Sequence, residues 1–115
     1  MDNQYKQLSG RVAVDNSTKT GTILSGVPGG IVRLISAHVF VTTAFSGGDG
    51  IVTLRDGLNG TILAKIPATA SSKLDMDFHD GLGYPITAGN SLSLEVSGGT
   101  TEGSAIGIAT GFLCI

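Results

Sequence analysis

The segment "SLSLEVSGG", Ser91 to Gly99, decides the fold. Leu92, Leu94 and Val96 alternate with Ser91, Ser93, Glu95 and Ser97. Successive side chains of an extended chain point to opposite sides, so a period of two with one apolar face marks a half-buried β-strand. The same period runs through "KLDMDFHD", Lys73 to Asp80, with Leu74, Met76 and Phe78 on the apolar side. "GIVTLRDG" and "TILAKIP" flank the turn "DGLNG" at Asp56 and predict a hairpin. "GIVRLISAHVFVTTAF", Gly30 to Phe45, is longer and rich in β-branched residues. Its alternation slips near Ile35 to Ala37, where a bulge or bend is expected. The last segment, "SAIGIATGFLCI", alternates Ile106, Ile108, Thr110 and Phe112 with Gly107, Ala109 and Gly111. Small residues on the second side imply that another surface approaches it closely.

Turn signals separate these runs: "PGG" at Pro28, "GGDG" at Gly47, "DGLG" at Asp80, "TAGN" at Thr87 and "GGTTEG" at Gly98. Short strands at spacings of about 8–12 residues indicate an antiparallel sandwich or barrel. No segment reads as an amphipathic helix. The expected fold is all-β: an antiparallel two-sheet sandwich of about seven to eight strands, jelly-roll-like. Residues 1–9 carry no periodic pattern and are expected to form an N-terminal arm. Residues 10–115 are expected to form a single β-sandwich domain.

The 115-residue chain fits one domain and is long enough to bury a core without staples. A net charge of −2 gives no electrostatic case for nucleic acid or for an anionic membrane. Charged residues make up 14% of the chain, against about 25% in ordinary soluble chains. An exterior so poorly charged suits a subunit covered by neighbours. The single cysteine, Cys114, excludes an intrachain disulfide and reads as a small core hydrophobe. The start, "MDNQYKQLSG", contains no hydrophobic signal region, so synthesis in the cytoplasm is expected. Arg33 and His38 interrupt the most apolar stretch, which falls short of the roughly 20 residues of a spanning helix.

Asp75, Asp77 and His79 occupy alternate positions and would project from one strand face about 7 Å apart. With Leu74, Met76 and Phe78 inward, this row faces outward. It reads as a solvated face that also discourages edge pairing. It could serve as a subunit contact, with Asp77 and His79 paired across a symmetry axis. Calcium takes six to eight oxygens from a folded loop, and zinc takes nitrogen and sulfur. A straight strand spreads its side chains too far apart for either, so no metal and no cofactor are expected. Acid–base catalysis needs groups converging in a concave site, and no catalytic residue is assigned. The chain has no Gly-x-Ser-x-Gly elbow, phosphate loop or dinucleotide fingerprint. "NST" at Asn16 and "NGT" at Asn59 match a glycosylation pattern and are read as chance matches.

His38 reads as a core or interface histidine with one hydrogen-bond partner. Arg33 is expected to reach solvent or to pair with Asp49, Asp56 or Glu95. With no Trp in the chain, Tyr5 and Tyr84 are the residues available to stack on a sugar. Most Phe positions are expected to point into the core.

The run "VRLISAHVFVTTAFSGGDGIVTLRDGLNGTILAKIPATA", followed by "FHDGLGYPITAGNSLSLEVSGG" and a final alternating strand, resembles small β-sandwich structural proteins of tailed bacteriophage virions. The likeness covers roughly residues 30–114 and rests on the order of segments, including "VTLRDG" and the G-x-x-x-x-x-G-x-S-L spacing from Gly83 to Leu92. It implies a non-enzymatic capsid cement or decoration subunit that stabilises the phage shell. Its partners would be itself, as a homotrimer, and the major capsid or other virion proteins. Its location would be the virion, after synthesis in the host cytoplasm. A carbohydrate- or receptor-binding module of a phage tail or fibre is the alternative. The surface expected to meet a subunit or the shell comprises Asp75, Asp77, His79, Tyr5 and Tyr84.

Overall fold

A computed structural model describes residues 5–45, 50–69, 71–78, 83–98 and 102–115. These residues contain strands and turns and no helix. The strands are β1 (Tyr5–Asp15), β2 (Thr20–Leu24), β3 (Ile31–Thr43), β4 (Ile51–Asp56), β5 (Thr61–Pro67), β6 (Lys73–Asp77), β7 (Tyr84–Pro85), β8 (Leu92–Ser97) and β9 (Ser104–Cys114). One sheet has the order β1-β9-β3-β6, with the two-residue β7 also pairing with β3. The other has the order β2-β8-β4-β5. All pairings are antiparallel. The first strand lies beside the last, the second beside the penultimate, and β4–β5 form the hairpin at the centre of this nesting. That is jelly-roll connectivity.

The residues that lead each strand into this arrangement are those of the period-two pattern. Leu92, Leu94 and Val96 of β8 are buried, at 3% exposure or less. They face Val32, Leu34, Ala37 and Val39 of β3 in one continuous core. The bulge expected near Ile35 is present, where the β3–β9 register shifts between Leu34 and Ser36. Leu74, Met76 and Phe78 are half-buried against the core, as their alternation requires.

Two expectations need correction. The arm expected over residues 1–9 is, from Tyr5 onward, part of β1. Tyr5 to Ser9 pair with Cys114 to Thr110 by backbone hydrogen bonds, which side-chain periodicity does not record. Residues 1–4 lie outside the described residues. Among the described residues the strands number nine, the main eight of the expected range plus the two-residue β7. Phe40 and Phe112 do not enter the core: both lie on the outer side of their sheet, Phe112 at 37% exposure.

The reason lies in β9. Its buried phase is Ala105, Gly107, Ala109, Gly111 and Leu113, small until its last residue, so Ile106, Ile108 and Phe112 of the other phase face out. The opposite sheet approaches this side closely. A Cβ on Gly107 would come within 2.8 Å of Ile23 Cδ1 and 3.1 Å of Leu94 Cδ2. At Gly10, beside β9 in β1, a Cβ would meet the Ile23 carbonyl oxygen at 1.9 Å, which no backbone tolerates unshifted. The close approach expected from the sequence is therefore the sandwich's own second sheet.

Candidate binding surface

The outer side of the β1-β9-β3-β6 sheet is the most unusual surface of the molecule. Opposed residues of an antiparallel pair point the same way, so the strand registers map the face row by row. One row reads Ala13, Ile106, Phe40 and Lys73 across the four strands. The next reads Arg11, Ile108, His38 and Asp75. The third reads Ser9, Thr110, Ser36 and Asp77. The fourth reads Gln7, Phe112 and Arg33, with Pro85 of β7 completing it. Cross-strand side-chain bonds confirm the alignment. Ser36 Oγ and Thr110 Oγ1 lie 2.7 Å apart, and the Thr42 hydroxyl donates to the Ser104 carbonyl at 3.0 Å.

The result is an apolar centre between charged margins. Phe40, Ile106 and Ile108 are half-buried by one another on an open sheet, and Phe112 is exposed. Arg11 stands exposed on the β1 margin, and Asp75 and Asp77 stand exposed on the β6 margin. His38 Nδ1 lies 2.6 Å from Asp75 Oδ1 with both side chains at least half exposed. His38 thus has the single partner expected of it but lies on the surface, not in the core. Cys114 ends this strand half-buried, short of the core position expected of it.

The outer side of the β2-β8-β4-β5 sheet contrasts with this. Thr20, Thr22, Ser93, Glu95, Thr53, Arg55 and Lys65 occupy it, with Ile51, Ile62 and Pro67 toward its β4–β5 side. Arg55 donates to Glu95 at 3.1 Å and to the Gly60 carbonyl at 2.9 Å. Glu95 and Asp56 are thereby engaged elsewhere and are not the partners of Arg33. Asp56 is buried at the end of β4 and accepts from the Thr87 backbone N–H at 2.9 Å, the Thr87 hydroxyl at 2.7 Å and the Asn90 amide at 2.9 Å. Burial alone would push its carboxyl up, but these three donors together hold it below the ordinary value of 3.8. This acid fastens the turn leading to β8.

Of the expected contact residues, Asp75 and Asp77 share the outer face with Ser36 and His38. His79 lies outside the described residues. Tyr5 enters through its backbone pairing with Cys114. Tyr84 is elsewhere, at the open edge between the sheets. Its ring lies 5.5 Å from that of Phe78, and the two line a cleft of about 270 Å³ with Ile62, Leu63 and Met76. The expected surface is thus two places, not one. Among the described residues, no three of His, Cys, Asp and Glu gather closely enough to hold a metal ion. The ion pairs His38–Asp75 and Arg55–Glu95 stand on open sheet faces and present no concave site.

No family model matches the chain, and no curated protein does. Solved structures do. A pilus subunit of Bacillus endospore appendages is 12% identical, covers 96% of this chain and 88% of its own, and has a TM-score of 0.40. PirA is 12% identical, with 93% and 92% covered and a TM-score of 0.44. The virus-like particle of extra small virus from the giant freshwater prawn Macrobrachium rosenbergii contains a chain 13% identical, with 98% and 80% covered and a TM-score of 0.45.

Proposed function

We propose that this chain is a non-enzymatic structural subunit of a virus particle, a capsid cement or decoration protein of a tailed phage. The observation that carries the reading is the apolar outer face of the β1-β9-β3-β6 sheet. A small domain that leaves Phe40, Ile106, Ile108 and Phe112 facing outward on its central strands is built to meet another protein surface. Binding that favours the assembled shell over its free parts stabilises the shell by mass action and requires no chemistry. The jelly roll supports the reading at the level of fold class, since viral capsid domains and lectins share it. The sparse charge, 14% of residues, supports it further.

The test is cosedimentation with particles made by the virus or cell that encodes the sequence, read by peptide mass spectrometry. Stoichiometric presence in intact particles, lost on Ile108→Lys, is the expected result. Absence from the particles would sink the proposal. A second reading, glycan binding at a tail or fibre, is favoured by the exposed Tyr84 beside Phe78 at the sandwich edge. Glycan-array binding abolished by Tyr84→Ala would support it, and would leave the outer face uninvolved.

A further inference from the structure

We infer that the outer face of the β1-β9-β3-β6 sheet pairs with the same face of a second copy, about a two-fold axis parallel to the strands. The inference rests on the structural-subunit reading and names its partner and geometry. Its basis is the order of charges across the face: Arg11 on the β1 margin, apolar Ile108 and then His38 in the middle, and Asp75 on the β6 margin. A rotation about a central axis along the strands keeps each row and reverses the strand order. Arg11 then faces the partner's Asp75, and Asp75 faces the partner's Arg11. Ile106 faces the partner's Phe40, and Phe112 faces the partner's Arg33, a cation–π arrangement. Ser9 meets the partner's Asp77, and Thr110 the partner's Ser36.

The other in-plane axis fails. A rotation about a line across the strands keeps the strand order, so the β1 margin always meets the β1 margin and Arg11 never meets Asp75; run through this row, it would stack Arg11 on Arg11 and Asp75 on Asp75. Like charges so placed oppose association. The charge pattern therefore selects both the partner, a second copy, and the axis.

The face is large enough. Three long strands of 11, 13 and 11 residues with the five-residue β6 beside them, about 4.8 Å apart at roughly 3.4 Å rise, give a face of roughly 400 Å²; pairing then removes on the order of 1,000 Å² in total, the lower end for a specific contact. Twisted sheets pack face to face with their strands within about 30° of each other.

The experiment is sedimentation velocity across a concentration series for the wild type, Arg11→Asp, Asp75→Arg and the double variant. Wild type is expected at the mass of two chains. Each single swap puts like charges together and should raise the dissociation constant by about tenfold or more. The double swap restores opposite charges and should recover most of the loss. Arg11→Gln and Asp75→Asn serve if a swap disturbs folding, and should show a smaller loss in the same direction. A mass of three chains, a monomer at every concentration, or single swaps without effect would overturn the pairing. The particle assay separates the two proposals. A monomer that still sediments with particles refutes the pairing alone. A two-chain species absent from particles refutes the shell role alone.

Discussion

The two outer faces of the sandwich enclose the same core and are made for different surroundings. On the β2-β8-β4-β5 side, threonines and serines surround an Arg55–Glu95 pair whose members are satisfied within the face. On the β1-β9-β3-β6 side, Phe40, Ile106, Ile108 and Phe112 take central positions, with Arg11, Asp75 and Asp77 at the margins and Arg33 beside Phe112. The second carries apolar area whose removal from water stabilises at about 25 cal/mol per Å². The sandwich thus has two chemically different outer sides, and the association proposed above uses only the second.

The largest effect should come from the interior that both faces share. Leu94→Ala empties a fully buried position on β8 and should cost about 2–5 kcal/mol, read from urea unfolding. A loss under about 1 kcal/mol would mean that the sheets are not held by this core, and the two faces would lose their common base. Next comes Asp56→Asn. All three groups around this carboxylate are donors, so an amide nitrogen brought among them leaves donors facing a donor. The expected cost is about 1–3 kcal/mol. The sign with pH follows from the lowered carboxyl. Its contribution is present above the ordinary value of 3.8 and is lost as pH falls through the lower folded value. Wild-type stability should therefore fall at acid pH, and the variant's should fall less. Parallel curves would show that Asp56 is not the acid responsible.

The third change separates the faces directly. Ile108→Thr keeps a β-branched residue on a half-buried outward position and should cost the fold no more than about 1 kcal/mol. It should nevertheless weaken self-association by several-fold in sedimentation. A large loss of stability with unchanged association would make Ile108 part of the fold's own packing and would remove the apolar face from the account.

These faces were only half legible in the sequence. The period of two in β9 was plain, but both of its phases are apolar. Nothing in "SAIGIATGFLCI" says which phase is inside. The phase is decided where Ile23 and Leu94 come so near that a Cβ on Gly107 would crowd both. Ile106, Ile108 and Phe112 are left outside, against the usual expectation, while Leu113 at the strand's end goes in. In β8 one phase is Leu and Val and the other Ser and Glu, so the inside was readable at once. Residues 5–9 were missed because Lys6, Gln7 and Ser9 are exposed on an edge strand. Their order comes from backbone bonds to residues about a hundred positions away. The bulge at Ile35 was visible because it breaks the alternation locally. The His38–Asp75 contact joins residues 37 apart and leaves no local trace, and so does the Asp56 anchor.

The smallest effect is the one that most sharpens the contrast. Glu95→Gln removes the charge from the Arg55–Glu95 pair, whose side chains are 23% and 24% exposed. Arg55 keeps its bond to the Gly60 carbonyl, and the amide oxygen still accepts. A partly exposed pair that keeps one of its two bonds should lose about 0–1 kcal/mol, so unfolding should shift within that range. The mass in solution should not change, since this face takes no part in the proposed pairing. Asp75→Asn alters a carboxylate of similar size that is still more exposed, at 63%, and that also has a basic partner, His38. It too should leave folding nearly unmoved, yet it should weaken association. Equal behaviour of the two variants in sedimentation would make the faces interchangeable. A difference confined to Asp75 would locate association on one side of the sandwich by charge alone, independently of any apolar substitution.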